Sequence, residues 1–235
     1  MERKIWMILL VLLLGILGFW LMPKTPKDNM EDIFLPQSIQ AQTVAPTENS
    51  AISLPYAPER WELVAEELIC YNGPYIEDGT NAPVSDVAGL ILHNAGDRGI
   101  SFAVLALEQG DRTTYFTVTW LPPGQRVLVL AMQRGIYIDQ PITDCRVLGI
   151  RWDDFHSAPV TAQIFPEGRL EVTNLTGLYQ EEVCLRFKPY RQEEGMYFGG
   201  ITQCVKVPVL TPWEISYLCP EDFDSETVRL VAKVK

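Results

Sequence analysis

Residues 90–108, LILHNAGDRGISFAVLALE, and residues 170–188, LEVTNLTGLYQEEVCLRFK, decide the fold of this chain. Each begins with an apolar run that ends on an asparagine, Asn94 or Asn174. A polar turn containing glycine follows, and then a second run of alternating character. Further on, a Leu-x-Pro element opens another such run: Leu121-Pro122-Pro123 in the first copy, Leu210-Thr211-Pro212 in the second. Asparagine at a strand end tolerates unusual backbone angles and hydrogen-bonds its own turn. Proline ahead of a strand starts it without removing a ladder bond. The recurrence of these features in one order predicts two tandem modules, 59–152 and 153–235.

Outward from these copies, short runs rich in Val, Ile, Leu, Thr, Tyr and Phe are bounded by Gly, Pro, Asn and Asp. They predict strands over 62–70, 85–93, 101–108, 115–120, 126–132 and 145–152 in the first module. In the second they predict strands over 161–164, 169–174, 182–187, 197–207, 214–218 and 227–234. The punctuation includes Asn72-Gly73-Pro74, Asp78-Gly79 and Pro122-Pro123-Gly124. No segment after residue 22 shows convincing helical periodicity. The expected fold class is all-β: one N-terminal transmembrane helix followed by two tandem immunoglobulin-like β-sandwiches.

The helix is expected over Ile5 to Met22, IWMILLVLLLGILGFWLM, which carries no charged side chain. Eighteen residues make a helix of roughly 27 Å, close to the thickness of a bilayer's hydrocarbon core. Trp6 and Trp20 lie near its ends, where amphipathic rings favour the headgroup level. The run is longer than a cleaved signal's apolar region, and the following MPKTPKD offers no small-residue cleavage pair. An uncleaved anchor to the lipid bilayer is therefore expected, with the N-terminus cytoplasmic and the remainder extracytoplasmic. Residues 23–58 carry six prolines among polar residues and predict a semi-extended tether.

The stretches Tyr71-Asn72-Gly73-Pro74, Leu121-Pro122-Pro123-Gly124 and Phe198-Gly199-Gly200-Ile201-Thr202 resemble those of uncharacterised anchored proteins from clostridia-like Gram-positive bacteria. These carry a short anchor, a tether and two β-modules. The asparagine turn and the Leu-Pro-Pro-Gly pattern are more loosely similar to FxLYD-type immunoglobulin-like modules. The resemblance implies a fold and a compartment, and it brings no catalytic residue.

The formal net charge is −11; from residue 51 onward 25 acidic residues stand against 15 basic ones, a net of −10. Such a surface is repelled by nucleic acid, so no nucleic-acid partner is expected. The five cysteines, Cys70, Cys145, Cys184, Cys204 and Cys219, include no C-x-x-C pair, which rejects a zinc ribbon or thioredoxin-like site. At most two disulfides are possible, and the favoured expectation is that most or all are buried and reduced.

Signals for chemistry are sparse. There are two histidines, His93 at a strand end and His156 after Asp153 and Asp154. Asp153, Asp154 and His156 make a conceivable metal site but read better as a solvated turn. No G-x-S-x-G, S-x-x-K or cysteine-protease motif is present. Asp222, Asp224 and Glu226 alternate like calcium ligands but lack the turn glycine and the twelfth-position glutamate. Asn174-Leu175-Thr176 fits a glycosylation sequon. Tyr197 and Phe198 would suit a protein-contact anchor if exposed; the plainer expectation has them alternate, one in and one out, along the 197–207 strand. The reading is therefore an anchored interaction or structural module with a protein or cell-envelope partner and no catalytic, metal or cofactor residue. A membrane-anchored envelope hydrolase or an accessory subunit of a membrane complex is the alternative.

Overall fold

The computed structural model describes residues 51–58, 61–153, 155, 158–200, 202–219 and 227–234. The predicted anchor, tether residues 23–50, Asp154, His156, Asp222, Asp224 and Glu226 lie outside them. Glu48–Lys235 forms one compact unit. The described residues are all-β, with a single 3-10 turn at Met132–Arg134 and no α-helix.

The first six strands are β1 (Leu63–Pro74), β2 (Pro83–Asn94), β3 (Gly99–Gln109), β4 (Arg112–Leu121), β5 (Arg126–Leu130) and β6 (Ile142–Asp153). The remaining seven are β7 (Val160–Ile164), β8 (Leu170–Asn174), β9 (Val183–Arg191), β10 (Met196–Phe198), β11 (Gln203–Val207), β12 (Ile215–Leu218) and β13 (Val228–Val234). Every predicted strand has its counterpart. The 197–207 prediction is corrected: it splits into β10 and β11 at Gly199-Gly200. Gly199 turns the chain at φ +76°, a left-handed angle that glycine adopts without steric penalty, in close approach to the Ile76 carbonyl.

Three sheets result. A seven-stranded one runs β1-β2-β5-β10-β9-β11, with β13 also paired to β9; two three-stranded ones run β4-β3-β6 and β12-β8-β7. They enclose two apolar cores. The first lies between β4-β3-β6 and the β1-β2-β5 region, with Leu90, Leu105, Phe116 and Val129 buried. The second gathers Val160, Leu170, Val172, Leu185, Phe187 and Val207 from β7, β8, β9 and β11. Fully burying side chains of this size stabilises by about 1.5–3 kcal/mol each. One crossing joins the halves: β10 pairs in parallel with β5, Tyr197 opposite Val127 and Phe198 opposite Leu128. Tyr197 and Phe198 are thus both buried, with Met196, in the first core. This overturns both the exposed anchor and the in-and-out alternation, since the strand ends before alternation can be expressed.

The cysteine expectation is corrected as well. Cys184 on β9 and Cys204 on β11 are disulfide-bonded, with their Cα atoms 6.0 Å apart. Cys70 and Cys219 are exposed, and only Cys145 is buried as a thiol. Burial, assisted by Asp144, pushes its pKa up to about 11.

Candidate functional site

Two places bring chemistry-bearing side chains together, and the first is the junction of the halves. Past Phe198 the β5–β10 ladder has one bond left, Gly199 N–H to the Leu128 carbonyl at 2.8 Å. Glu77, in the β1–β2 loop, then takes over: its two oxygens accept the N–H groups of Leu130 and Gly200, each at 2.7 Å. The carboxylate substitutes for the next ladder carbonyl, and a Cβ at position 200 would press on it. Burial raises the Glu77 pKa; the two backbone donors and Lys188 oppose that shift.

Lys188 on β9 is wholly buried and points away from the second core toward β4. Its ammonium donates to the Thr119 carbonyl at 2.9 Å, and Thr119 Oγ1 in turn hydrogen-bonds the Gly200 carbonyl. Burial pushes the Lys188 pKa down to about 7, against the pull of Glu77. Nearby, Arg186 lies 4.2 Å from the Trp120 ring centroid, and Trp120 packs on Phe155 at 5.3 Å. Beside this seam opens a cavity of about 390 Å³ lined by Tyr75, Glu77, Thr119, Met132 and Gln133 among others. Tyr75 donates to the Ala131 carbonyl, while Arg134 covers its ring and reaches Asp78 at 3.4 Å. Lys188 does not line the cavity, and both Glu77 oxygens are engaged by backbone. The seam holds the fold together, and no nucleophile–base pair lines it.

The second place grows from the repeated asparagines. Asn94 is fully buried; its amide donates to the carbonyls of Arg98 (2.8 Å) and Leu121 (3.2 Å), and its oxygen accepts from Gly96 N–H. Asn174, equally buried, donates to Leu178 (2.8 Å), Leu210 (3.5 Å) and Thr211 (2.8 Å) and accepts from Thr176 N–H. Each asparagine therefore locks its own turn to the Leu-x-Pro element paired with it in sequence. The same geometry removes Asn174 as a glycosylation acceptor on the folded chain, because its amide is enclosed and engaged.

Superposing the copies in sequence sets Trp213 opposite Gly124. Both stand at left-handed φ, +61° and +67°, but only the glycine adopts that angle without strain. Trp213 is exposed, as are Leu175, Leu178 and Tyr179 in the turn after Asn174, Val209 ahead of Leu210, and Ile215 and Tyr217 on β12. Sequence reading singled out Tyr197 and Phe198 instead. The available signal was the repeat itself, a tryptophan in the turn where its partner copy has glycine.

Of the other sequence candidates, His93 stands 3.6 Å from Glu66, which also binds Arg126 at 2.6 Å, in a part-exposed charge cluster. Asp153 closes β6. Among the described residues no group of three or more His, Cys, Asp or Glu is placed to hold a metal. No protein-family model, curated protein or solved structure matches the chain.

Proposed function

We propose that this chain is a membrane-anchored extracytoplasmic interaction module. In this reading Ile5 to Met22 crosses the bilayer, with the N-terminus cytoplasmic. A tether over residues 23–50 then presents two tandem immunoglobulin-like sandwiches, 59–152 and 153–235; the last part of the expected tether, residues 51–58, is instead held on the first core by Ile52, Leu54 and Tyr56. The observation that carries the reading is the exposed apolar end of the second core, centred on Trp213. Trp213 is exposed and its N–H bonds the Thr176 carbonyl, in the turn that also exposes Leu175, Leu178 and Tyr179; exposed apolar side chains brought together mark contact sites. A tryptophan kept at a strained angle while its ring is exposed points the same way. The Cys184–Cys204 disulfide supports an oxidising compartment. The duplicated asparagine lock supports two modules of common design. The hydrolase alternative gains no support from the Glu77 cavity, whose carboxylate is committed to two backbone donors.

Thiol labelling of intact cells tests the orientation. Cys70 and Cys219 are exposed, so a membrane-impermeant maleimide should label the chain without permeabilisation. Labelling only after permeabilisation would place the modules in the cytoplasm and refute the reading.

A further inference from the structure

We infer that this chain binds a neutral saccharide of one or two rings in a groove where Tyr190, Tyr197, Gln125 and Gln192 meet. The groove lies between the β4–β5 turn and the segments of β9, β10 and β13 that face it, and its volume of about 530 Å³ is in the range of small-ligand pockets. The inference does not rest on the anchored reading or on the residues around Trp213. Pro122 and Gln125 form one wall, and the Asn94 turn fixes them. Asn94 N–H donates to the Gln125 carbonyl at 3.0 Å, and Gly124 N–H donates to the Asn94 carbonyl at 2.8 Å. Tyr190 and Tyr197 are paired across β9 and β10, their ring centroids 5.0 Å apart at 69°. Arg229 covers the Tyr190 ring and donates to the Val228 carbonyl at 2.9 Å and to Gln192 Oε1 at 3.3 Å. The Gln192 oxygen is thereby engaged, and its amide N–H groups are left to donate.

Tyr197 is the residue that points to a ligand. It is 6% exposed, yet its hydroxyl bonds no described residue and is not sealed in, so it opens on the groove that the side chain lines. Buried polar groups are nearly always satisfied, and a hydroxyl held here calls for a partner from outside the fold. Burial raises the Tyr197 pKa, with Tyr190 adding to the shift and Arg229 opposing it, so the hydroxyl stays protonated at neutral pH and both donates and accepts. The lining then sorts the ligand classes. Among the described residues it holds no His, Cys, Asp or Glu to ligate a metal ion. Its one cation, Arg229, already donates to two protein acceptors on a chain of net charge −11, which suits an anion poorly. A wholly apolar ligand would strand the hydroxyl and the amides. What fits is a molecule with C–H faces for the two rings and closely spaced hydroxyls that donate and accept in turn, as a sugar has. An extended peptide fits less well, because β9 and β10 are each paired on both sides and offer no backbone edge.

The test uses the full chain in lipid nanodiscs prepared without sugar-based detergents. Maltose, lactose, cellobiose and N,N′-diacetylchitobiose are each titrated at millimolar concentration and followed by saturation-transfer difference NMR. At least one should receive saturation from the protein. Tyr197→Phe should weaken that sugar's Kd by about fivefold to tenfold, the worth of one hydrogen bond. The same variant should leave the urea midpoint unchanged, because the hydroxyl it removes has no partner in the fold. Gln192→Ala should weaken binding as well, and Tyr179→Ala, on the exposed turn of the second half, should not. Transfer to none of the four sugars would overturn the inference. So would binding that Tyr197→Phe and Gln192→Ala both leave intact, or a Tyr197→Phe chain that unfolds earlier, the mark of a structural hydroxyl. Transfer to a short proline-rich peptide and to no sugar would assign the groove to a peptide and overturn the saccharide. Each of these outcomes leaves the anchored reading where it stands.

Discussion

Replacing either buried asparagine by alanine should loosen the half it belongs to by a calculable amount. Asn94→Ala removes two donor bonds to Arg98 and Leu121 and one acceptor bond from Gly96. At about 1 kcal/mol net for each bond, the loss is about 3 kcal/mol. Asn174→Ala strips the amide from the Leu178, Leu210 and Thr211 carbonyls and should cost at least as much. Asn→Asp at either site separates hydrogen bonding from volume. It keeps the shape but turns the donor into an oxygen that faces the two carbonyls at position 94 or the three at position 174, so it should be no milder than alanine. The assay is urea unfolding of the full chain in nanodiscs, followed by circular dichroism. With a slope of about 2–3 kcal/mol per molar, a 3 kcal/mol loss moves the midpoint down by about 1 M. Because β10 and Lys188 tie the cores together, both variants should move the same transition. Variants within about 0.5 kcal/mol of the parent would refute the asparagine lock, and two transitions moved separately would refute the coupling.

Other outcomes follow from the seam and the cysteines. Lys188 loses its proton near pH 7 when folded but keeps it to about 10.5 when unfolded, so between these values the unfolded chain binds more protons. Stability should therefore rise with pH from 7 to 10.5, by a few kcal/mol at most, and Lys188→Met should flatten that rise; an unchanged pH profile in the variant would contradict the assignment. Glu77→Gln keeps one acceptor oxygen but sets an amide against a backbone donor. It should cost about 1–3 kcal/mol in the same urea assay, and a neutral effect would refute its role in joining β5 to β10. Under denaturing, non-reducing conditions three thiols should alkylate, and all five after reduction, as read by mass spectrometry; five without reduction would deny the Cys184–Cys204 bond.

Local features of the fold were legible because the signals were local. Alternation and Gly/Pro punctuation located the strands, and the asparagine turns were expected to bond their own turns; that each also bonds its Leu-x-Pro element, 27 and 36 residues away, emerged from the structure. What escaped depends on contacts between distant segments. The break at Gly199-Gly200 is dictated by packing against Ile76, and it is this break that sends Tyr197 and Phe198 into the first core. It also sets β11 beside β9 and so brings Cys184 and Cys204 within bonding distance. Lys188 drew no notice in the sequence, because nothing near it announces that Thr119 and Trp120 of β4 meet Lys188 and Arg186 on β9. Trp213 was open to discovery from sequence, since the repeat aligns it with Gly124, but its exposure required the structure.

Protease shaving of intact cells or protoplasts, with blotting for the C-terminal part of the chain, tests the anchored extracytoplasmic reading most directly. The account predicts that the C-terminal signal disappears while the cells stay unlysed. Protection until lysis would put both β-modules in the cytoplasm and contradict it.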